Sequence, residues 1–336
     1  MNLKTIRLLT ALTVCLCASL AWSQAKVGTA GAQFLEVGVS ARAVGMGEAF
    51  TSTVDDASAV YYNPAGLAIV PGREIMASHA LYIADINYSF AALVLPVNKL
   101  GGAVGVAAYY MEIGEMDVVD QPYSIPPASS QTFNPKEYAV TVSYARNLTD
   151  RLSIGITGKY IGENFGQGFY NTTTGTTEDF VATGWAADVG TIYNTGFRGF
   201  KIGMIISNFG PDLDFKVSTP NVGASQSYPL PANFKFGGSI DLIQNHSHRA
   251  ILAAELSHPN DNVEKYNLGL EYWYNEKFAL RLGNQFKQDS YQGGVSLGGG
   301  IKVPFNNQKS ELRVDYAYRD FGILKGAHRF SFGFMF

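Results

Sequence analysis

The feature that most constrains this chain is a period of two. From about Arg73 to Phe336 it repeats one unit: some ten residues of alternating large apolar and small or polar side chains, then a turn signal. Tyr138, Val140, Val142 and Tyr144 interleave with Glu137, Ala139, Thr141 and Ser143. Leu152, Ile154, Ile156 and Tyr160 do the same with Ser153, Gly155, Thr157 and Lys159, and Tyr266, Leu268, Leu270, Tyr272 and Tyr274 with Lys265, Asn267, Gly269 and Glu271. Such alternation puts each set on one face of a strand. No helix of ordinary period can use it.

A soluble sandwich and a transmembrane barrel both alternate, so the composition of the two faces decides between them. The minor set is rich in Gly, Ala, Ser and Thr, which suits a filled lumen. Aromatic residues cluster near strand ends, as membrane interfaces require. The strands also run to about ten residues, against about five or six in soluble sheets. Only 16% of residues are charged and 46% are hydrophobic, yet the body of the chain has no long apolar run. The expectation is an all-β fold, an antiparallel transmembrane β-barrel of about fourteen strands with an N-terminal plug. The strands are expected near residues 73–83, 87–96, 101–112, 136–147, 151–163, 180–193, 199–208, 231–243, 249–257, 263–274, 277–287, 290–303, 309–319 and 326–336. With this numbering every even connection is short, and the three long ones, 114–135, 164–179 and 209–230, fall on the opposite, extracellular side. A wrong strand count would scramble that parity.

Residues 1–23 read as an export signal. Lys4 and Arg7 precede an apolar stretch from Leu8 to Trp22, shorter than a membrane span, and Ala21-Trp22-Ser23 supplies a cleavage site before Gln24. Both cysteines, Cys15 and Cys17, fall in this signal and neither follows a small residue, which argues against lipoprotein processing. The expected mature chain therefore has no disulfide, thiolate metal site or cysteine nucleophile. There is no Lys/Arg cluster to suggest nucleic acid. The outer membrane of a Gram-negative bacterium is the implied location, with its lipids as the immediate partners.

Residues 24–71 do not alternate and are too few to bury a core alone, so they are expected inside the barrel, with residues 72–336 forming its wall. Thr53-Val54-Asp55-Asp56 reads as a capping start for a short helix from Ala57 to Tyr62, stopped by Pro64. Arg42, Asp55 and Asp56 are candidate plug contacts, with Arg281, Arg313 and Asp315 as possible partners and a plug-to-wall anchor as the default role. Asn63, Pro64, Ala65 and Gly66 are a candidate turn joining plug to first strand. The other expected interior charges, Glu255, Glu271, Lys159, Lys235, Lys265 and Arg319, would neutralise one another across the lumen. At the other end, Phe332, Phe334 and terminal Phe336 look like the signal read by the barrel-assembly machinery.

The run from Gly31 to Gly47, continuing through Asp55-Asp56-Ala57-Ser58-Ala59-Val60-Tyr61-Tyr62-Asn63-Pro64-Ala65-Gly66-Leu67-Ala68, resembles the N-terminal signature of the PorV/PorQ family, within the wider FadL-like group of barrels. The specific resemblance covers about Gly28 to Pro71. It implies a fourteen-stranded outer-membrane barrel and, for PorV-like proteins, a place in the type IX secretion system, holding translocon or cargo through rim and loops. The FadL-like alternative is a channel admitting hydrophobic small molecules through a lateral wall opening. A wall break beside the plug would favour the channel, and Gly101-Gly102 at the start of the third strand is the candidate kink, the alternative being that Gly there only makes a turn.

No catalytic centre emerges. Gly294-Val295-Ser296-Leu297-Gly298 matches a nucleophile-elbow string, but a Gly-rich strand follows where that chemistry needs a helix. His246-Ser247-His248 lacks a third metal ligand nearby. There is no phosphate-binding loop, and no cofactor is called for.

Overall fold

The computed structural model describes residues 28–97, 100–117, 132–166, 169–171, 176–178, 180–215, 226–287, 294–305 and 310–336. The expected signal over residues 1–23 lies outside them, as do the turn at residues 306–308 and parts of the three long connections.

Fourteen strands form one closed antiparallel barrel. They are β1 (Glu74–Leu81), β2 (Asn87–Val97), β3 (Gly102–Glu112), β4 (Lys136–Asn147), β5 (Leu152–Asn164), β6 (Val181–Asn194) and β7 (Lys201–Phe209). The ring continues through β8 (Asn233–Gln244), β9 (His248–Pro259), β10 (Lys265–Tyr274), β11 (Phe278–Lys287), β12 (Val295–Phe305), β13 (Ser310–Asp320) and β14 (Gly326–Met335). Each strand pairs with the next. β14 returns to β1 in a continuous ladder from Glu74↔Met335 to Leu81↔His328, so no edge is left unpaired.

Side-chain direction follows the sequence pattern. On β4, Thr141 is 0% exposed while its neighbour Val142 is 57% exposed. Glu271 on β10 is likewise buried between outward Leu270 and Tyr272. Polar groups point in and Leu, Ile, Val and Phe point out, the reverse of a water-soluble sandwich. Closing the ladder satisfies the backbone polar groups, and the apolar outer face suits hydrocarbon. No helix among the described residues is long and apolar enough to cross a membrane.

Two features of the wall differ from simple expectation. The β3 ladder is continuous with both neighbours from Gly102 onward, and Gly101 sits in the preceding turn at φ 62°, so the pair marks the passage from turn to strand and not a kink. The register shifts instead between β6 and β7, at Ala187/Val189, and between β8 and β9, at Asp241/Ile243. At the first, Asn208 adopts φ 58° and its N–H donates to Asp188 Oδ1 at 2.8 Å. Asn tolerates this left-handed backbone, which lets the bulge form. The three long connections also carry short two-stranded ribbons: Met116–Asp117 with Thr132–Phe133, Phe169–Asn171 with Thr176–Glu178, and Leu213–Phe215 with Gln226–Tyr228.

The segment before β1 is irregular. It holds a 3₁₀ turn at Gln33–Glu36, α1 (Ala41–Gly45), α2 (Ala59–Tyr62) and a second 3₁₀ turn at Pro64–Ile69. Positive φ at Gly47 and Glu48 ends the first helical stretch. From Val39 to Leu67 nearly every residue is buried. Phe50, Tyr61 and Tyr62 pack edge to face at centroid distances of 5.2 and 4.7 Å. The main apolar cluster is shared between this segment and inward wall residues such as Tyr88 and Tyr109.

Candidate functional site: the N-terminal segment against the inner wall

The segment bonds to strands all around the ring. Ala32 N–H donates to Glu163 on β5 at 2.7 Å, and Ala41 N–H to Ser331 on β14 at 2.9 Å. Phe50 and Thr51 N–H groups both donate to Glu255 Oε2 on β9, at 3.2 and 2.9 Å. These are orphan backbone donors of an irregular chain, satisfied by carboxylates that the wall presents inward.

Arg42 is the most heavily engaged residue. Its Nε and Nη2 donate to the two oxygens of Glu271, both at 2.8 Å, a bidentate pair between α1 and β10. Nη1 reaches Asp55 Oδ1 at 2.5 Å and Asp56 Oδ2 at 3.5 Å. The network then runs along the wall. Glu271 accepts from Arg281 Nε at 2.7 Å, Arg281 donates to Asp315 at 2.6 Å, and Arg313 lies 3.4 Å from Asp315. Arg313 closes the loop onto Glu74 at 2.6 Å and Asp56 at 3.3 Å. Burying this many charges is tolerable only because each faces an opposite one at hydrogen-bond distance. Burial alone would raise the Asp55 carboxyl, but Arg42 outweighs it and holds it down at about 2. Asp55 keeps 35% of its side-chain surface open, so water screens part of that gain.

The three expected contacts thus meet, and one anticipated pair, Asp56 with Arg313, forms between them and the wall. Arg42 binds Asp55, Asp56 and Glu271, and it is Asp56 that reaches Arg313. Arg281 joins through Glu271, and Asp315 through Arg281 and Arg313. Glu74 had not been singled out; it lies at the inward register of β1 and also accepts from Ala57 N–H at 3.0 Å. Helix capping differs too. Asp56 accepts from the N–H and hydroxyl of Ser58, and the helix begins at Ala59 rather than Ala57. Several interior charges serve the segment instead of one another: Lys265 pairs with Glu36 at 3.3 Å, and Glu255 takes the two backbone donors above. Lys159 pairs with Asp188 at 2.8 Å.

Asn63 has an anchoring geometry beyond a turn. Its Oδ1 accepts from Ala65 N–H at 3.2 Å, capping a 3₁₀ turn that Pro64 opens. Its Nδ2 donates to Thr51 O and to Thr191 O on β6, both at 3.0 Å, with Met204 O on β7 at 3.4 Å. Ala65 and Gly66 are fully enclosed; a Cβ on Gly66 would lie 2.8 Å from Val54. The wall leaves room for this backbone. A Cβ on Gly155 would lie 2.3 Å from the Pro64 carbonyl carbon, and one on Gly283 would lie 2.0 Å from Gly47 N. Small inward residues are therefore clearances for the segment.

Phe332, Phe334 and Phe336 all face outward, and Phe336 N–H donates to Arg73 O at 2.9 Å beside the β1–β14 closure. Ser296 is fully buried at the start of β12, and His248 shares a 2.6 Å hydrogen bond with the Tyr272 hydroxyl.

The model of a protein family described as type IX secretion system protein PorV matches residues 21–259, more than half of the sequence. The chain belongs to the PorV family. The match runs well past the N-terminal signature into β9, so the family's imprint extends beyond the residues that first suggested it. No curated protein matches. Among solved structures, the toluene transporter TbuX of Ralstonia pickettii is similar at 14% identity, covering 87% of this chain and 96% of that one, with a TM-score of 0.55. The toluene transporter TodX of Pseudomonas putida gives 12% identity, coverages of 88% and 96%, and a TM-score of 0.56. A FadL homologue of Pseudomonas aeruginosa gives 11%, 89% and 98%, and 0.54. At these identities the likeness is one of fold. This PorV-family chain is an outer-membrane barrel of a Gram-negative bacterium, in a family and fold of transport barrels.

Proposed function

We propose that this PorV-family barrel is a component of a type IX secretion system that holds translocon or cargo through its rim and loops. Residues 28–71 would act as a fixed plug. The observation that supports this most is the Arg42 network. A segment tied to five wall strands by buried ion pairs and backbone-to-carboxylate bonds suits a rigid docking body better than a conduit that must clear. In this reading Arg42, Asp55 and Asp56 anchor the plug. Asn63, Pro64, Ala65 and Gly66 shape its exit toward β1, and Phe332, Phe334 and Phe336 are read by the barrel-assembly machinery.

Pull-down from native outer membranes, with mass spectrometry of proteins and bound lipids, tests the proposal. A large outer-membrane translocon or its secreted cargo should co-purify. A barrel that comes down alone, with fatty-acid or other hydrophobic ligands, would count for the second reading, a FadL-like channel for hydrophobic small molecules. The register break between β6 and β7 is the observation that favours that alternative, because a wall bulge beside the plug is where a lateral path would start.

A further inference from the structure

At the end of the barrel that carries the long connections, a cavity of about 40 Å³ lies between the N-terminal segment and the wall. Its walls bring charges of both signs together: Arg319 on β13, Arg329 on β14, and Glu36 and Glu48 from the segment. Glu36 is already held by Asn233 and Lys265. The other three are not fully satisfied. Arg329 is 4% exposed and its Nη1 has no hydrogen-bond partner. Arg319 Nε and Glu48 Oε1 are likewise buried and unpartnered. Arg329 does stack over the Tyr88 ring at 5.5 Å, and Arg319 donates through Nη2 to Gln285.

Opposite charges lining one small cavity would normally close on each other, since an orphaned buried charge is costly. Here they do not, and the Glu48 carboxylate lies by the Tyr62 hydroxyl. Glu48 is fixed at φ 68°, a left-handed conformation unusual for its type, and its carboxylate occupies the space a side chain at Gly38 would need, 2.0 Å from a Cβ there. Among the described residues Glu48 forms no ion pair with either arginine.

We propose that this cavity binds a small zwitterion of the α-amino-acid class, its carboxylate toward Arg319 and Arg329 and its ammonium toward Glu48. The volume fits a few heavy atoms, since one water needs roughly 10–15 Å³ by the same measure. The site therefore takes a compact charged group and not an apolar ring. This inference stands apart from the secretion reading, because it needs neither translocon nor cargo.

Glycine is the probe, measured by equilibrium dialysis or titration calorimetry on the full chain in detergent micelles. Saturable one-site binding is expected, with acetate and methylammonium each binding about tenfold or more weakly than glycine. Arg329→Gln and Glu48→Gln should each weaken glycine binding by about tenfold or more, in barrels whose gel mobility still shifts on heating. Gly38→Ala, which displaces the Glu48 carboxylate without removing a charge, should do the same. Absence of saturable binding to the wild-type chain would overturn the proposal, as would binding unchanged in all three variants. Acetate matching glycine would also overturn it, by reducing the site to a simple anion site.

Discussion

Replacing Arg42 by methionine keeps much of the side-chain volume and removes the guanidinium on which the segment turns. Two carboxylates lose a partner in a dry setting, because the side chains of Glu271 and Asp56 are both 0% exposed. Each keeps a second cation, Arg281 at 2.7 Å and Arg313 at 3.3 Å. Asp55 is open enough to be resolvated. Breaking a buried pair costs about 3–5 kcal/mol, and the surviving cations place Arg42→Met at the lower end, about 3 kcal/mol. The strands do not depend on Arg42 for their ladder, so the cost should appear as local opening of the segment. A change of about 3 kcal/mol raises the open population by about a hundredfold. Hydrogen exchange on the folded barrel reads this through the amides of Val44 and Tyr62, which donate to Ser40 O and Ser58 O at 2.9 and 3.1 Å. Exchange should quicken there by about that factor, while amides of β4 and β5 keep their protection. Arg42→Lys, which keeps the charge but not the two-point contact with Glu271, should fall between. A rate change below about threefold at Val44 and Tyr62 in Arg42→Met would refute the idea that this network holds the segment.

Acid should loosen the same anchor in a defined window. The Asp55 carboxyl is depressed from 3.8 to about 2, so its stabilisation is complete above about pH 4 and is lost as pH falls through 2. Pepsin should cut the segment faster at pH 2 than at pH 4, and Asp55→Asn should flatten that difference. Gly155→Val should destabilise the segment by about 1–3 kcal/mol, because its new atoms would meet the Pro64 backbone, which has no rotamer to yield. Gly158→Val on the same strand, where a Cβ meets nothing within 4 Å, is the matched control and should leave exchange unchanged. Phe336→Ser should lower the fraction of chain that reaches the heat-modifiable barrel form in cells, with less effect on barrels refolded in detergent.

The wall was legible because period two acts locally: each strand's inward and outward sets can be read without knowing its neighbours. Val140 and Val142 face out and Thr141 and Ser143 face in, as their spacing requires. The parity of loop lengths then fixed the strand count. Pairing across the lumen was another matter. That Glu271, and not Asp315, would receive Arg42 depends on how an irregular segment threads through three dimensions, and no spacing between residues 42 and 271 encodes it. The glycines misled in an instructive way. Gly101-Gly102 offered a wall kink or a turn and marks the turn into β3, while Gly155 and Gly283, which look like ordinary small lumen residues, are the clearances that admit the segment. The bulge at Asn208 was not read either: Asn tolerates the left-handed backbone, but that its N–H meets Asp188 on β6 depends on how the two strands pair.

The barrel itself is open to a direct optical test. Beyond the expected signal the chain has two tryptophans. Trp185 on β6 is 66% exposed on the outer face, whereas Trp273 on β10 is 2% exposed, facing inward beside Lys302 and Arg281. In bilayers containing brominated lipid, a Trp273→Phe variant, which reports Trp185, should be strongly quenched. A Trp185→Phe variant, which reports Trp273, should be nearly unaffected. Equal quenching of the two, or stronger quenching of Trp273, would contradict a closed wall with every second side chain in contact with lipid.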